Sequence, residues 1–289
     1  MNSVVNHLIG LLTLERVSDT QFIGGSQDIG FPQVFGGQVI GQGLSAATQT
    51  VEGRFPHSLH CYFLRPGDSS HPIEYEVEKV RDGRSFSLRR VLASQFGKTI
   101  LSMTVSFQVT EEGFDHQDAM PNVPGPESFK SELSLYREHA SEIPSKVRDL
   151  FVSDRPIEYR IVENQNPFRP RPGIAKRHMW IRSVAALPDD PLIHQSMLAY
   201  TTDYGFIETA LMPHGISIGN PYLKIASLDH AIWFHRPFRL DEWLLYVADS
   251  PSASAARGFA RGQIFNQQGQ LVASTAQEGL LRFSHKSGD

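Results

Sequence analysis

The chain has 289 residues, of which 40% are hydrophobic and 20% charged, and 27 basic against 31 acidic residues give it a net charge of −4. That composition excludes intrinsic disorder, collagen-like repeats and coiled coil. It also lacks the basic stripe that a nucleic-acid surface needs, and no run of 18 apolar residues is present to span a bilayer.

Cys61 is the sole cysteine, so neither an intramolecular disulfide nor a cysteine-based zinc site can form. The first residues, MNSVVNHLIG, lack a basic leader, and the final HKSGD is neither a peroxisomal nor a prenylation signal. A reduced, cytoplasmic setting is the expectation.

In chain order, residues 4–14 carry apolar positions at helical spacing, and a short strand is expected around 21–25. A helix is expected over 34–51 despite Gly36, Gly37, Gly41 and Gly43, each a poor helix former. Gly37, Gly41 and Ser45 recur every four residues, which gives the helix a small-residue face on which a sheet could lie closely. The glycines fit neither a Walker loop nor G-x-G-x-x-G. Residues 57–108 read as four strands in an antiparallel meander, with turns at Asp82-Gly83 and Phe96-Gly97. Proline marks 115–130 as an exposed linker, short helices are expected over 127–139 and 144–151, and a second proline-rich stretch lies at 166–173.

The second half then repeats the first: a strand near His178, a buried helix over 192–206, and strands within 224–237, 242–250, 254–267 and 270–283. Phe63-Leu64-Arg65-Pro66 matches Phe234-His235-Arg236-Pro237, and the turn glycines Gly97 and Gly269 fall into the same register. One helix followed by a long antiparallel sheet, occurring twice, specifies an α+β double hotdog. Its expected parts are an N-terminal hotdog over 1–114, a linker with short helices over 115–155, and a C-terminal hotdog over 156–289. Ligands commonly bind in the seam between such units.

Several motifs resemble the acyl-CoA thioesterase II family. They are V-F-G-G-Q-V-x-G-Q at 34–42, H-S-x-H-x-Y-F-L-R-P-G-D at 57–68, R-D-G-x-S-F-S at 81–87, L-D-H-x-x-W-F-H-R-P-F at 228–238, A-A-R-G at 255–258 and L-V-A-S-T-x-Q-E-G at 271–279. The resemblance implies hydrolysis of medium- to long-chain fatty acyl-CoA to fatty acid and coenzyme A, without cofactor or metal, by a dimer or tetramer of double hotdogs. It also implies a catalytic Asp203, a hydroxyl at Ser227 where Thr is expected, and Gln277.

The chemistry is coherent. Asp203 would act as general base on a water that Ser227 and Gln277 orient, and a backbone N–H near the start of a central helix would hold the oxyanion. Two rival readings remain: a catalytically silent acyl-CoA-binding or sensing protein, and a serine esterase on Ser217 in Gly215-Ile216-Ser217-Ile218-Gly219. The His57/His60 and His230/His235 pairs have odd spacing on expected strands, which is poor for shared metal binding. A hotdog hydratase needs His five residues after its Asp, and here that residue is Glu208. Phe206, Ile207, Leu211, Ile216 and Ile218 are candidates to line an acyl tunnel. Arg65, Arg89, Arg236, Arg257 and Arg261 are candidates for the coenzyme A phosphates.

Overall fold

A computed structural model describes residues 2–30, 33–163 and 170–283. The start of the second proline-rich stretch (166–169) and the last six residues lie outside them. The elements in order are α1 (Ser3–Leu12), β1 (Glu15–Arg16), β2 (Gln21–Gly24), α2 (Gly36–Thr48), β3 (Phe55–Phe63), β4 (Ile73–Asp82), β5 (Phe86–Gln95) and β6 (Lys98–Gln108). Then come α3 (Glu132–Glu138), α4 (Ser145–Phe151), β7 (Ile157–Ile161), β8 (Lys176–Ser183) and α5 (Pro191–Thr202). A 3-10 segment over Ile207–His214 leads to β9 (Leu223–Ser227), β10 (Asp229–Phe234), β11 (Leu244–Ser254), β12 (Arg257–Asn266) and β13 (Leu271–Phe283).

All thirteen strands form one sheet, in the order β1-β2-β4-β5-β6-β3-β10-β13-β12-β11-β8-β7, with β9 also paired to β13. Read from either end the order is the same: β3 corresponds to β10, β4 to β11, β5 to β12 and β6 to β13. This is the double hotdog, with the halves joined where β3 pairs antiparallel with β10, from Tyr62 opposite Asp229 to Ser58 opposite Trp233. The four-strand meander fails in one respect. After β3 the chain crosses over, so β3 pairs with β6 and β10, not with β4. The alternating pattern is the same for either placement, so periodicity could not separate them.

The sheet curves around α2 and α5, which run antiparallel with α2 buried along nearly its whole length. The small-residue face of α2 meets α5 rather than the sheet. A methyl group on Gly37 would collide with the Tyr200 carbonyl, and one on Gly41 would stand 3.0 Å from the Ser196 carbonyl. Glycine costs roughly 0.8–1.0 kcal/mol per position in a helix interior. Here that cost is offset by backbone-to-backbone approach of two helices, while Gly43 faces the sheet at Met103. Part of the proline-rich connection is less exposed than its composition suggests. It crosses the outer face of the second half, where Trp180 donates to the Pro124 carbonyl (3.0 Å) and Met120, Val123 and Phe129 cover Trp180, Trp243 and Phe265.

Candidate active site

Asp203 is the C-cap of α5, directly after its last helical residue. A carboxylate at a helix C-terminus faces the negative end of the dipole, typically a loss of about 0.3–1 kcal/mol, so its presence calls for a compensating partner. The antiparallel packing supplies one. The N-terminus of α2 lies alongside, and a methyl group on Gly36 would stand 2.6 Å from Asp203 Oδ2 and 2.9 Å from the Phe63 ring. Phe35, the N-cap of α2, offers no capping side chain. The first N–H groups of an α-helix have no partner within the helix, and here they open beside the carboxylate.

The other oxygen of Asp203 is saturated. Ser227 Oγ donates to Oδ1 at 2.9 Å, and Gln277 Nε2 donates to the same oxygen at 2.9 Å and to Ser227 Oγ at 2.6 Å. Ser227 reaches this position because β9 and β10 are one strand interrupted at Leu228. There Leu228 N–H bonds the Glu278 carbonyl (2.9 Å) and Asp229 Oδ1 accepts from Glu278 N–H (2.6 Å). Gln277 points inward from β13 and is fully buried, and Asp203 is 9% exposed. The three sequence-predicted site residues therefore converge in space from α5, β9 and β13.

His230 completes the cluster and was singled out by the sequence only as half of a metal pair. It lies inward on β10, its Nδ1 2.9 Å from Gln277 Oε1 and its Nε2 3.0 Å from Thr202 Oγ1. Burial lowers its pKa, with the Asp203 charge opposing that shift. Gly36 and Thr202 were likewise not anticipated as part of the site. An Asp closing a buried helix next to a glycine-opened helix is the signal that would have found Gly36.

The remaining candidates disperse. Ser217 sits in a turn, where its Oγ accepts from Gly219 N–H at 3.2 Å, and the chain then enters β9. The strand–Ser–helix setting of a nucleophile elbow is absent. The five arginines do not converge. Arg89 is buried against Thr50 and Asp82, Arg257 pairs with Glu278, Arg261 with Asp249, Arg236 with Asp115, and Arg65 donates to the Thr99 carbonyl. Phe206, Ile207 and Leu211 are core residues, with Phe206 stacked on Tyr246 at 5.3 Å, whereas Ile218 is exposed. A register irregularity after Pro56 lets His57 bond the outward Ser106 Oγ on the same face as His60, contrary to the odd-spacing expectation. Among the described residues no group of three or more His, Cys, Asp or Glu is placed to hold a metal. Cys61 is buried, and desolvation first, then the Asp203 charge, push its thiol well above the ordinary range, which fits an inert core residue.

The fold and the converging carboxylate, hydroxyl and amide define the class: a hotdog-fold thioester hydrolase. An acyl-CoA thioesterase family model matches residues 146–280, and an acyl-CoA thioesterase N-terminal domain model matches 24–108. The chain is 48% identical over 285 residues to acyl-CoA thioesterase 2 of Haemophilus influenzae, covering 98% of this chain and 100% of that one. Among solved structures it is similar to an acyl-CoA thioesterase II from Mycobacterium marinum, with 40% identity, TM-score 0.79 and coverage of 96% and 98%. A hotdog-fold protein of unknown function from Alicyclobacillus acidocaldarius, at 20% identity and TM-score 0.76 over 96% and 99%, shares the fold. The chain belongs to the acyl-CoA thioesterase family and hydrolyses acyl-CoA thioesters. No helix among the described residues is long and apolar enough to cross a membrane.

Proposed function

We propose that the chain hydrolyses medium- to long-chain fatty acyl-CoA by direct attack of water, with Asp203 as general base and Ser227 and Gln277 as its orienting partners. The observation that carries this reading is the unequal environment of the two Asp203 oxygens. Oδ1 accepts from Ser227 and Gln277, while Oδ2 faces Gly36 at the uncapped start of α2. A water beside Oδ2 gives its proton to the carboxylate as its oxygen bonds the thioester carbon. The carbonyl oxygen, now negative, is received by N–H groups at the start of α2, an interaction of the kind whose loss lowers kcat by about 10²–10³. The C–S bond then breaks, and the proton on Asp203 goes to the departing coenzyme A sulfur. No covalent enzyme intermediate forms.

Ser227 donates its hydroxyl hydrogen to Asp203 and so holds the base, while its remaining lone pair can still orient the water. Within this reading the catalytic repeat is 156–289, the first repeat is 1–114, and 115–155 links them. The enzyme acts in the cytoplasm. It assembles as a dimer or tetramer through the outer face of the central strands, where Tyr62 is 62% exposed beside the His60–Trp233 edge contact. Light scattering after gel filtration measures that assembly, and a monomer with Tyr62 intact would refute it.

Thiol release from palmitoyl-CoA tests the chemistry. Asp203→Asn is expected to lower turnover by about 10²–10⁴-fold, and Ser217→Ala to leave it intact. Undiminished turnover in Asp203→Asn sinks the water-activation reading. Loss in Ser217→Ala together with fluorophosphonate labelling establishes the serine esterase instead. Tight binding without thiol release in the wild type indicates a sensor.

A further inference from the structure

The hydrogen bonds of the site continue inward, past Gln277, to a histidine and a threonine that face neither the start of α2 nor the outer surface. We infer that His230 is a positioning residue, which fixes the orientation of the Gln277 amide through a single imidazole tautomer set by Thr202. This deepens the proposed function and rests on its reading of Asp203 as an ionised base.

The assignment follows from counting donors and acceptors. A carboxylate only accepts, so the atom of Gln277 that lies 2.9 Å from Asp203 Oδ1 has to be the NH₂ nitrogen. Its second hydrogen is directed at Ser227 Oγ, whose own hydrogen goes to Asp203. The amide oxygen is thereby turned to His230 Nδ1, 2.9 Å away, and an acceptor there requires Nδ1 to carry the proton. Nε2 is then a bare lone pair. Thr202 Oγ1, 3.0 Å from it, has to donate to it rather than to the Ala199 carbonyl at 3.2 Å. Every position in the chain Thr202 → His230 → Gln277 → Asp203 is determined once the carboxylate is placed.

The opposite tautomer breaks the chain at one of two points. With the proton on Nε2, the Nδ1 lone pair would face Gln277 Oε1, acceptor against acceptor. The amide could flip to escape this, and it would then present its oxygen to Asp203 Oδ1 and remove the hydrogen bonds that hold the base. His230 is 1% exposed, so no solvent stands by to repair either arrangement. Burial also lowers the imidazole pKa, which favours the neutral ring, the state in which the tautomer has meaning.

The first repeat gives independent support. In the registers of β3 with β6 and of β10 with β13, the positions of His230 and Gln277 correspond to Leu59 and Val105, which face each other directly. Both are fully buried and apolar. The histidine and the amide are present together in the repeat that has the Asp and absent together from the one that lacks it. A purely structural buried histidine would have no reason to follow the amide.

Two measurements test this. Long-range ¹H–¹⁵N correlation spectra of the wild-type enzyme, with His230→Asn used to assign the ring, are expected to show the Nδ1–H tautomer. An Nε2–H signature overturns the inference whatever the kinetics show. In the second, His230→Leu is expected to lower kcat by roughly ten- to a hundredfold with KM little changed, the scale of loss when a catalytic group is misplaced by an ångström or so. His230→Asn, whose amide nitrogen replaces Nδ1, is expected to restore most of kcat, whereas His230→Gln, which replaces only Nε2, is not. In a Gln277→Ala background, His230→Leu is expected to cost nothing further, because the histidine acts only through the amide. An undiminished additional loss there, or equal rescue by Asn and Gln, overturns the inference. Unaltered turnover in Asp203→Asn would instead refute the reading of the base, and the tautomer result stands apart from it.

Discussion

The two repeats share a topology and differ in a handful of buried positions, and the proposed mechanism places the chemistry at that difference. Both carry a turn glycine at positive φ between the last two strands, Gly97 at 68° and Gly269 at 79°, and both wrap their sheet around one long helix. At the corresponding helix C-caps, however, the first repeat has Gln49 and the second Asp203. On the strands behind them, the first repeat has Leu59 and Val105 where the second has His230 and Gln277. The helix starts differ as well. α2 opens on glycines with no capping side chain, whereas α5 opens on Pro191, which has no N–H, and Asp190 caps it by accepting from Leu192 N–H at 3.0 Å. One end of the helix pair thus combines a carboxylate with a helix start that no N-cap side chain closes. The other combines an amide with an occupied cap, around an open cleft of about 230 Å³ lined by Leu12, Thr48, Ile193 and Met197. Shape alone persists easily through duplication, because it depends on the apolar pattern. Catalysis needs polar groups that are worthless unless all are present.

The largest expected effect contrasts the two helix caps. Asp203→Asn lowers kcat/KM by about 10²–10⁴-fold, the range for a lost general base, while Gln49→Asn leaves it unchanged. A comparable loss in Gln49→Asn, measured by thiol release, would mean that the first repeat takes part in chemistry. Next comes the start of α2. Alanine is a better helix former than glycine, so Gly36→Ala should preserve folding. Its methyl group nevertheless displaces Asp203 Oδ2 or Phe63, and turnover is expected to fall about a hundredfold, as for other ångström-scale misplacements. Full activity in Gly36→Ala would remove the α2 terminus from the site. Ser227→Ala ranks third. A hydrogen bond to a charged group is worth about 1.5–3 kcal/mol, which corresponds to one to two decades of rate. Ser227→Thr keeps the hydroxyl and is expected to match the wild type. If Ser227→Ala retains full turnover, the orienting role of that hydroxyl is wrong.

Sequence reading went furthest where pattern dictates structure. The halves, both central helices and the strands that carry Ser227 and Gln277 follow from periodicity and turn residues. The crossover of β3 does not, because strand order leaves no trace in alternation when both candidate neighbours are half-buried. Asp203, Ser227 and Gln277 were reached through family resemblance. As isolated residues they look like a helix cap and two strand polar groups, and only the packing of the end of α5 against β9 and β13 makes them neighbours. His230 shows the limit most clearly. An inward histidine on an alternating strand has the same signature whether it fills space or orients an amide, and its meaning depends on Gln277, 47 positions away. The glycines of α2 signal a close approach, and its partner is the second central helix rather than the sheet.

The smallest expected effect on activity comes from the first repeat, and it separates the roles of polarity in the two halves. Val105→Gln places in β6 the amide that β13 has at Gln277. At that site Leu59 offers no acceptor or donor in place of His230, and the helix cap beyond is an amide, not a carboxylate. The new group is therefore buried without its partners, a penalty of about 1–3 kcal/mol, read as a lower urea midpoint with turnover unchanged. Adding Leu59→His supplies one partner to the amide oxygen and should recover part of that loss, because two of the buried polar atoms then satisfy each other. If Val105→Gln were neutral for stability, water would have to reach the first repeat's core, and its apolar pair would no longer set that half apart from the second. If the double variant were instead less stable than Val105→Gln alone, the strand register that equates Leu59 with His230 would be wrong.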